Sequence, residues 1–499
     1  KPKLTKDDLK AIIADYDILI VRSATKVTAD IFDLASKLKL VGRAGAGVDN
    51  IDLAAATRKG VIVMNTPGGN TISTAEHTCA MIMSAARLIP QAHGELKQNI
   101  WDKKKWMGSE LEGKILAIIG LGKIGREVAK RMQAFGMKTI AYDPMLSADV
   151  ASKFDIELLT VEECFKQADF ITVHTPLNDA TKNIINKASI ATMKKGVRIV
   201  NCARGGIINE QDLADAIASG HVAAAAFDVF TEEPPKPDHP LVKSDKVVLT
   251  PHIAASTVEA QEKVAAQIAE QIVDWKTSGK LAGAVNASAV ELSQMPEVKS
   301  YLTLAEKLGS MHAQISGKAS KITVISSGDF LRKFTEAITA ATVKGVLGVM
   351  SKAETNYINA VAMAKDLGIE VKEEREKENP DYTSLIRVEY ETASGKRVIG
   401  GAVLGTKELR VVMIDKFICD FKPEGTILIY TNDDKPGVIA GVGAKLLRGN
   451  INIANLSLAR DEEKKKALTV ITVDDQPDDS FLQEIAKVDG VFDPRFVRL

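Results

Sequence analysis

The feature that most constrains the fold of this chain is a regular alternation of apolar, strand-like runs with amphipathic helical segments. The alternation extends from Asp17 to about Lys276, and its apolar runs are DILIVR, KLVGRAG, VIVMN, KILAIIG, KTIAYD, DFITVH, VRIVN, AAAAFDV and VVLTPH. Because parallel strands need a crossover connection, usually a helix, this order predicts doubly wound parallel α/β sheets. Two such units fit the segment. We expect one long helix, kinked at Pro90, to join them between Ile72 and Gln98.

The remainder of the chain has shorter elements and predicts two further domains of the α+β type. Its charged run KEEREKEN, residues 372–379, is expected to be a solvated helix end or loop. From Gly425 the predicted order is strand, helix, strand, strand, helix, strand, which is the βαββαβ order of the ferredoxin-like fold. The predicted domains are therefore residues 1–70 with 253–284, residues 71–252, residues 285–424 and residues 425–499.

Composition excludes several classes of protein. The 499 residues contain 65 Lys and Arg against 65 Asp and Glu, and 45% are hydrophobic. A net charge of zero without long single-sign blocks gives no support to general binding of nucleic acid or membrane surfaces. No apolar stretch approaches the roughly 20 residues of a membrane span, and the N-terminus lacks a signal-peptide core, so we expect a cytoplasmic protein. The four cysteines are too sparse for a disulfide framework and form no metal-binding cluster.

The strongest local signal is KILAIIGLGKIG, in which Gly120, Gly122 and Gly125 form a GxGxxG motif between an apolar strand and a helix. The first glycine permits a tight turn, the second lets backbone N–H groups approach a pyrophosphate, and the third allows close helix–strand packing. The anion then faces the helix N-terminus. Asp143 ends the next strand, where its carboxylate can accept hydrogen bonds from ribose hydroxyls. Because this carboxylate would repel a 2′-phosphate, the motif predicts NAD rather than NADP.

Three candidate catalytic residues follow strands of the second predicted sheet, at the carboxyl ends where such sheets bind ligands. Arg204 follows VRIVNCA, and its planar guanidinium suits a bidentate grip on a substrate carboxylate. Glu233 lies in DVFTEEPP and His252 in TPHIAAST. A carboxylate bonded to one imidazole nitrogen leaves the other to exchange a proton with a hydroxyl, and the neighbouring Glu232 could fill the same role. We expect structural roles for the other histidines: His77, His93, His174, His221, His239 and His312.

The motifs GLGKIG with Asp143, NCARGG, DVFTEEPP and TPHIAAST together resemble the D-isomer-specific 2-hydroxyacid dehydrogenases over nearly all of the chain up to about Lys280. The segments LIVRSATKV, VGRAGAGVDN and NTPGGNTISTAEH, with the two C-terminal domains, are similar to the long-form D-3-phosphoglycerate dehydrogenases of that family. The resemblance implies a flavodoxin-like substrate domain, a Rossmann-type NAD-binding domain, an intervening regulatory domain and an ACT domain. It also implies oxidation of D-3-phosphoglycerate to 3-phosphohydroxypyruvate, the first step of L-serine biosynthesis.

The same resemblance implies roles for individual residues. Arg204 would bind the substrate carboxylate and carbonyl, Glu233 would support the base, and His252 would be the acid–base catalyst. The cofactor site would contain Gly120, Gly122, Lys123, Ile124, Gly125, Asp143, Thr175, Cys202, Ala203 and Asp228. A phosphorylated substrate needs cations in the cleft, and Arg22, Arg43 and Asn70 are assigned to it. No metal site is predicted.

The terminal domain resembles ACT units that hold an amino acid between two copies of the chain. By that analogy Asn432, Asp434 and Asn452 would bind L-serine, and the chain would form a homodimer or homotetramer. The family normally has one more strand and helix ahead of Asp17, so either the sequence is truncated or the substrate domain lacks its first strand. Two other functions stay open: a dehydrogenase for another D-2-hydroxy acid such as glycerate, and a non-enzymatic, NAD-responsive corepressor-like binding protein.

Overall fold

The computed structural model describes residues 4–351, 353–461, 463, 465–475, 477–478 and 480–499. These residues divide into two compact units. The first unit contains the N-terminal segment through Arg43, then Gly47–Asn65 and Ile268–Leu499. The second unit contains Ala44–Ala46 and Thr66–Gln267. None of the helices among the described residues is long and apolar enough to cross a membrane.

The N-terminal part of the first unit is a three-stranded parallel sheet with helices between its strands. The strands are β1 Ile18–Val21, β2 Leu40–Arg43 and β3 Ile62–Asn65, in the order β1-β2-β3. The helices are α1 Lys6–Ile12, α2 Ala29–Leu34 and α3 Leu53–Arg58. The side chains of Thr5 and Asp52 cap the first and last of these helices by accepting backbone N–H groups. Arg22 directly follows β1 and Arg43 ends β2, so the two predicted cations lie at the carboxyl ends of neighbouring strands.

The second unit is built on a seven-stranded parallel sheet with the strand order β10-β9-β8-β7-β4-β5-β6. Its strands are β4 Ile115–Ile119, β5 Lys138–Tyr142, β6 Glu157–Leu158, β7 Phe170–Val173, β8 Val197–Asn201, β9 Val222–Phe227 and β10 Val247–Leu249. Its helices are α4 Thr71–Arg87, α5 Ile89–Leu96, α6 Lys123–Ala134, α7 Ala148–Ser152, α8 Val161–Gln167, α9 Lys187–Thr192 and α10 Glu210–Ala218. A further helix, α11 Val258–Ser278, leads from this unit into the first. The predicted doubly wound fold is confirmed.

The long helix expected between Ile72 and Gln98 is wrong in one respect, because the chain forms two helices there. Leu88 separates α4 from α5 with a left-handed backbone, at φ 49°. Pro90 lies in the first turn of α5, where its missing N–H has no helical partner to lose. Because a proline in a helix interior would remove a backbone hydrogen bond, the chain forms two separate helices here instead of one kinked helix.

The C-terminal part of the first unit begins with a six-stranded sheet in the order β12-β11-β13-β14-β15-β16. Its strands are β11 Lys321–Ser327, β12 Glu370–Glu376, β13 Leu385–Thr392, β14 Gly395–Leu404, β15 Glu408–Ile414 and β16 Phe417–Phe421. Its helices are α12 Ser288–Leu292, α13 Pro296–Ser316, α14 Thr335–Met350 and α15 Ala360–Asp366. The charged run expected to be a helix end or loop is mostly the edge strand β12, which corrects that prediction. Charged side chains suit an edge strand because they discourage pairing with another sheet.

The ferredoxin-like order predicted from Gly425 is confirmed. It consists of β17 Thr426–Asp433, α16 Val438–Arg448, β18 Ile453–Asp461, β19 Lys466–Val473, α17 Phe481–Ala486 and β20 Val491–Arg498. The antiparallel sheet has the order β18-β19-β17-β20. Side chains alternate between its faces, and the central strands β17 and β19 are mostly buried on both faces. Leu428 and Tyr430 belong to the core formed with α16 and α17, whereas Ile427 and Ile429 belong to the core that contains α13.

Candidate active site

The candidate catalytic residues lie on three loops at one edge of the second unit. The loops follow β8, β9 and β10, which are neighbours in the parallel sheet, so their carboxyl ends lie side by side. Gly205 allows the first two loops to touch, because a Cβ there would lie 2.0 Å from the carbonyl of Phe230. The sheet topology therefore places Arg204, Glu233 and His252 on adjacent loops of one edge.

His252 and Glu233 form a hydrogen-bonded pair. The imidazole Nδ1 is 2.8 Å from Glu233 Oε2, and Glu233 Oε1 accepts a hydrogen bond from Phe230 N at 3.1 Å. A neutral imidazole that donates its Nδ1–H to this carboxylate carries its lone pair on Nε2. About half of the His252 side chain, 48%, is exposed, which leaves Nε2 accessible to a substrate. Glu232 instead points to Lys236, at 3.5 Å, so Glu233 is the carboxylate that contacts His252.

Arg204 is held by the turn that follows β8. The buried side chain of Asn201 accepts a hydrogen bond from Ala203 N at 3.0 Å and donates one to Arg204 O at 2.8 Å. The guanidinium itself donates to the carbonyl of Ala203 at 2.6 Å. These bonds fix the backbone of the arginine, so the NCARGG motif serves as a rigid mount for the cationic group. Asn201 was not among the predicted site residues, although its position at the end of a strand marked it for a turn.

Asp228 lies at the centre of the same edge and is fully buried. Its carboxylate accepts hydrogen bonds from Thr250 Oγ1 at 2.6 Å and from the backbone N–H groups of Ile253 and Ala254 at 2.8 and 2.9 Å. Burial raises the pKa of Asp228, but these bonds and one from His77 outweigh it, and the pKa is lowered from its ordinary value. The carboxylate is therefore ionised and holds the loop that carries His252.

One histidine with a predicted structural role lies near the catalytic loop. His77 is 3.3 Å from Asp228 Oδ1 and 3.1 Å from Thr250 Oγ1. Sequence reasoning had no signal for this contact, because His77 and Thr250 are 173 residues apart in the chain. Thr250 did carry a signal, since it stands two residues ahead of His252 at the end of a predicted strand.

The glycine motif has the geometry that a dinucleotide pyrophosphate requires. Gly120 has φ +99°, and a Cβ on Gly125 would lie only 2.3 Å from the carbonyl oxygen of Gly120, so neither position accepts a side chain. A Cβ on Gly122 would meet no described atom within 4 Å, so the space in front of the motif is open. Lys123 and Ile124 are the first residues of α6, whose N-terminus faces this space. The residues present therefore fit NAD.

Two further residues support that fit. Asp143 Oδ2 accepts a hydrogen bond from Leu121 N at 2.9 Å, so the carboxylate adjoins the glycine turn and keeps lone pairs for ribose hydroxyls. The Oγ1 of Thr175 is buried and finds no hydrogen-bond partner among the described residues. An orphaned hydroxyl of this kind suits a ligand contact. Burial lowers the pKa of the adjacent His174 to about 4, so that imidazole is neutral beside the motif.

Cys202 and Ala203 follow β8 at the same edge, next to Arg204. Burial raises the pKa of the Cys202 thiol far above its ordinary value, so the thiol is protonated and is a wall of the site rather than a nucleophile. All four cysteines are buried and free. Among the described residues no group of His, Cys, Asp and Glu is arranged to hold a metal ion.

The remaining predicted residues lie elsewhere. Arg22 and Arg43 belong to the first unit, whereas Asn70 belongs to the second, where it precedes α4. In the terminal domain, Asn432 is buried and bonds Thr469 Oγ1 at 2.8 Å, and Asp434 pairs with Arg460 at 2.6 Å. Asn452 lies at the opposite end of the sheet, as the register pairs Ile453 with Val473 but Asn432 with Ala467. One chain therefore does not bring Asn452 together with the other two residues.

Comparison with known proteins identifies the family. Residues 79–254 match the NAD-binding domain of the D-isomer-specific 2-hydroxyacid dehydrogenases, residues 297–415 match the D-3-phosphoglycerate dehydrogenase intervening domain, and residues 426–490 match the ACT domain. A D-3-phosphoglycerate dehydrogenase of Archaeoglobus fulgidus is 42% identical over 100% of this chain and 95% of its own length. That of Bacillus subtilis is 41% identical over 97% of this chain and 92% of its own length. The chain belongs to the D-3-phosphoglycerate dehydrogenase family.

Solved structures agree with this membership over the dehydrogenase part. A glyoxylate reductase of Paecilomyes thermophila has 29% identity and a TM-score of 0.51, covering 56% of this chain and 87% of its own. An NAD-dependent formate dehydrogenase of Staphylococcus aureus, solved with NAD, has 30% identity and a TM-score of 0.50, covering 55% of this chain and 82% of its own. The chain is an NAD-dependent dehydrogenase of the 2-hydroxyacid type, and the predicted cofactor is confirmed.

Proposed function

We propose that this enzyme oxidises D-3-phosphoglycerate to 3-phosphohydroxypyruvate with NAD, the entry step of serine synthesis. The observation that carries the proposal is the His252–Glu233 pair, with Nδ1 and Oε2 2.8 Å apart, at the same sheet edge as a complete dinucleotide motif. The D-3-phosphoglycerate dehydrogenase of Archaeoglobus fulgidus matches the chain over its whole length, including the two domains that follow the dehydrogenase part.

The protein supplies the acid–base and binding chemistry. His252 Nε2 takes the proton of the substrate C2 hydroxyl, while Glu233 stabilises the imidazolium that forms. Arg204 grips the carboxylate and polarises the developing carbonyl oxygen. Bound NAD supplies the hydride acceptor for the hydrogen on C2. Arg22, Arg43 and Asn70 bind the phosphorylated end of the substrate in this proposal.

The cofactor residues have distinct tasks. Gly120, Gly122 and Gly125, with the first turn of α6 at Lys123 and Ile124, hold the pyrophosphate through backbone N–H groups. Asp143 receives the ribose hydroxyls and Thr175 adjoins the adenosine side. Cys202, Ala203 and Asp228 enclose the nicotinamide, with Asp228 kept ionised by its own hydrogen bonds.

Regulation by L-serine and self-association complete the proposal. Asn432 and Asp434 lie at one end of the ACT sheet and Asn452 at the other, so a serine site using all three requires a second copy of the chain. We therefore expect a homodimer or homotetramer of a cytoplasmic enzyme, with serine bound between ACT domains. Serine can change the activity only if it binds the active and inhibited states of the enzyme with different affinities.

Initial rates of NADH formation test the function. The wild type should oxidise D-3-phosphoglycerate in preference to D-glycerate, and serine should lower the rate. His252→Ala should lower kcat by roughly a hundredfold or more, the usual scale of acid–base catalysis. Arg43→Ala should raise KM for D-3-phosphoglycerate about tenfold or more while changing KM for D-glycerate little, since a lost charge-assisted hydrogen bond is worth about 1.5–3 kcal/mol.

The outcomes separate the alternatives. Faster turnover of D-glycerate would assign the enzyme to another 2-hydroxy acid, and equal changes in both KM values would remove Arg43 from the phosphate site. Wild-type turnover in His252→Ala would contradict the catalytic assignment. Rates unchanged by serine would contradict the proposed regulation while leaving the reaction intact.

A further inference from the structure

A second histidine contacts the loop that carries the catalytic one. His77 lies on α4 in the second unit, and its side chain is 18% exposed. Its Nε2 is 3.1 Å from Thr250 Oγ1 and 3.3 Å from Asp228 Oδ1. His77 precedes the residues 79–254 that match the NAD-binding domain, so that match assigns it no role.

The direction of the hydrogen bonds follows from the groups involved. Asp228 is ionised and can only accept, so the single hydroxyl proton of Thr250 is donated across the 2.6 Å to Asp228 Oδ1. The oxygen of Thr250 then accepts from His77, which places the imidazole proton on Nε2. The result is a directed relay from His77 to Thr250 to Asp228, and the same Nε2–H also lies within 3.3 Å of Asp228 Oδ1.

The relay ends on the Asp228 carboxylate, which accepts hydrogen bonds from residues before and after His252 in the chain. Asp228 accepts from Ile253 N at 2.8 Å and from Ala254 N at 2.9 Å, and its own carbonyl accepts from His252 N at 2.8 Å. His252 has φ +53°, a left-handed conformation that is uncommon for residues other than glycine. Such backbones persist only where the surroundings impose them. The orientation of Asp228 therefore matters for the geometry of His252.

We propose that His77 is a positioning residue: its Nε2–H orients Thr250 and Asp228, and through them the backbone that presents His252. The consequence for turnover rests on the proposed function. His77 itself touches neither the dyad nor the expected substrate position, so it acts only through the relay. Removing its donor loosens the loop without removing any group that reacts.

Two substitutions separate the hydrogen bond from packing. His77→Leu keeps much of the volume without a donor, whereas His77→Gln places an amide N–H near the position of Nε2. His93→Leu, at an exposed histidine on α5, is the matched control. We expect His77→Leu to lower kcat about tenfold with little change in KM for NAD, because misorientation of a catalytic group costs rate. His77→Gln should stay within about twofold of the wild type.

Hydrogen exchange measured by mass spectrometry gives a readout without substrate. Exchange at the amides of Ile253 and Ala254 should accelerate about tenfold in His77→Leu and remain near the wild-type rate in His77→Gln and His93→Leu. Should the His77→Leu protein fail to fold, the nearly isosteric Thr250→Val substitution interrupts the same relay. It should accelerate hydrogen exchange at the same two amides. In a Thr250→Val background, His77→Leu should add less than it does in the wild type, because only the longer contact of His77 with Asp228, 3.3 Å, is left to lose.

Wild-type exchange and kcat in His77→Leu would overturn the proposal. Equal losses in the Leu and Gln variants would also overturn it, since they would assign the effect to packing rather than to the donated hydrogen bond. Additive effects of His77→Leu and Thr250→Val would contradict the relay, because they would show that the two residues act independently. If the wild type failed to oxidise D-3-phosphoglycerate, the proposed function would fall, whereas the exchange experiment would still decide the role of His77.

Discussion

Two adjacent glutamates provide a test of the catalytic pair at the scale of single residues. Glu233 accepts a hydrogen bond from His252 Nδ1 at 2.8 Å, whereas the side chain of Glu232 is 68% exposed and pairs with Lys236, at 3.5 Å. Glu233→Gln should lower kcat by on the order of a hundredfold, because an amide cannot stabilise the imidazolium and can present an N–H to Nδ1. Glu232→Gln should match the wild type, since an exposed ion pair contributes little.

Steady-state kinetics on both variants, with NADH affinity from fluorescence titration, checks this prediction. NADH affinity should be unchanged in both proteins, so that any loss lies in turnover. A larger loss in Glu232→Gln than in Glu233→Gln would reverse the assignment of the carboxylate.

Sequence and structure differ in what they reveal about individual residues. Motif spacing was sufficient to nominate Arg204, Glu233 and His252, since each stands just after an apolar run. It could not choose between Glu232 and Glu233, because the choice depends on which side chain the loop turns toward the imidazole. It also could not find His77, whose partners come from strands far along the chain.

The glycine turn and helix α6 give a prediction at the scale of a structural element. A Cβ on Gly125 would lie 2.3 Å from Gly120 O, so Gly125→Ala should separate helix from strand and lower Tm. A Cβ on Gly122 would have no atom of the described residues within 4 Å, and the backbone φ of Gly122, −69°, suits alanine. Gly122→Ala should therefore keep its Tm but weaken NAD binding about tenfold or more, because the methyl group enters the space of the pyrophosphate.

Thermal unfolding with and without NAD separates the two effects, because a ligand raises Tm only to the extent that it binds the folded state. The Gly122→Ala protein should begin at the wild-type Tm and gain less from NAD. An undiminished gain would mean that the pyrophosphate does not approach Gly122.

Helices and strands were predicted correctly where one sequence pattern dominates, and less well where two sequence patterns favour different structures. Continuous apolar runs gave the parallel strands, since strands buried on both faces need apolar residues throughout. Between Ile72 and Gln98 the helical periodicity of the sequence continues past Pro90. The backbone nevertheless adopts a left-handed conformation at Leu88, which sequence periodicity does not indicate. The run 372–379 has the charge of a loop, yet the backbone of residues 372–376 pairs in parallel with β11.

Within the first unit, one face of the ACT sheet belongs to the same hydrophobic core as α13 of the intervening domain. Ile427, Ile429 and Val470 of the ACT sheet belong to the same buried cluster as Leu308 and Met311 of α13. The side chain of Gln314 adds two hydrogen bonds to the backbone of Arg498, at 2.8 and 2.9 Å. The intervening and ACT domains thus form one packed body.

Calorimetry of the whole chain tests this continuity. Leu308→Ala and Ile429→Ala each remove buried methyl groups, at a cost of about 2–5 kcal/mol, and should lower the same unfolding transition by several degrees. Ile171→Ala, in the core of the NAD-binding unit, should lower a different transition, the one that NAD raises. If the ACT domain unfolded independently, Ile429→Ala would split off a separate transition and leave the Leu308 transition in place. A shared shift instead means that the ACT sheet does not loosen independently of α13, because the core and the hydrogen bonds of Gln314 hold the two domains together.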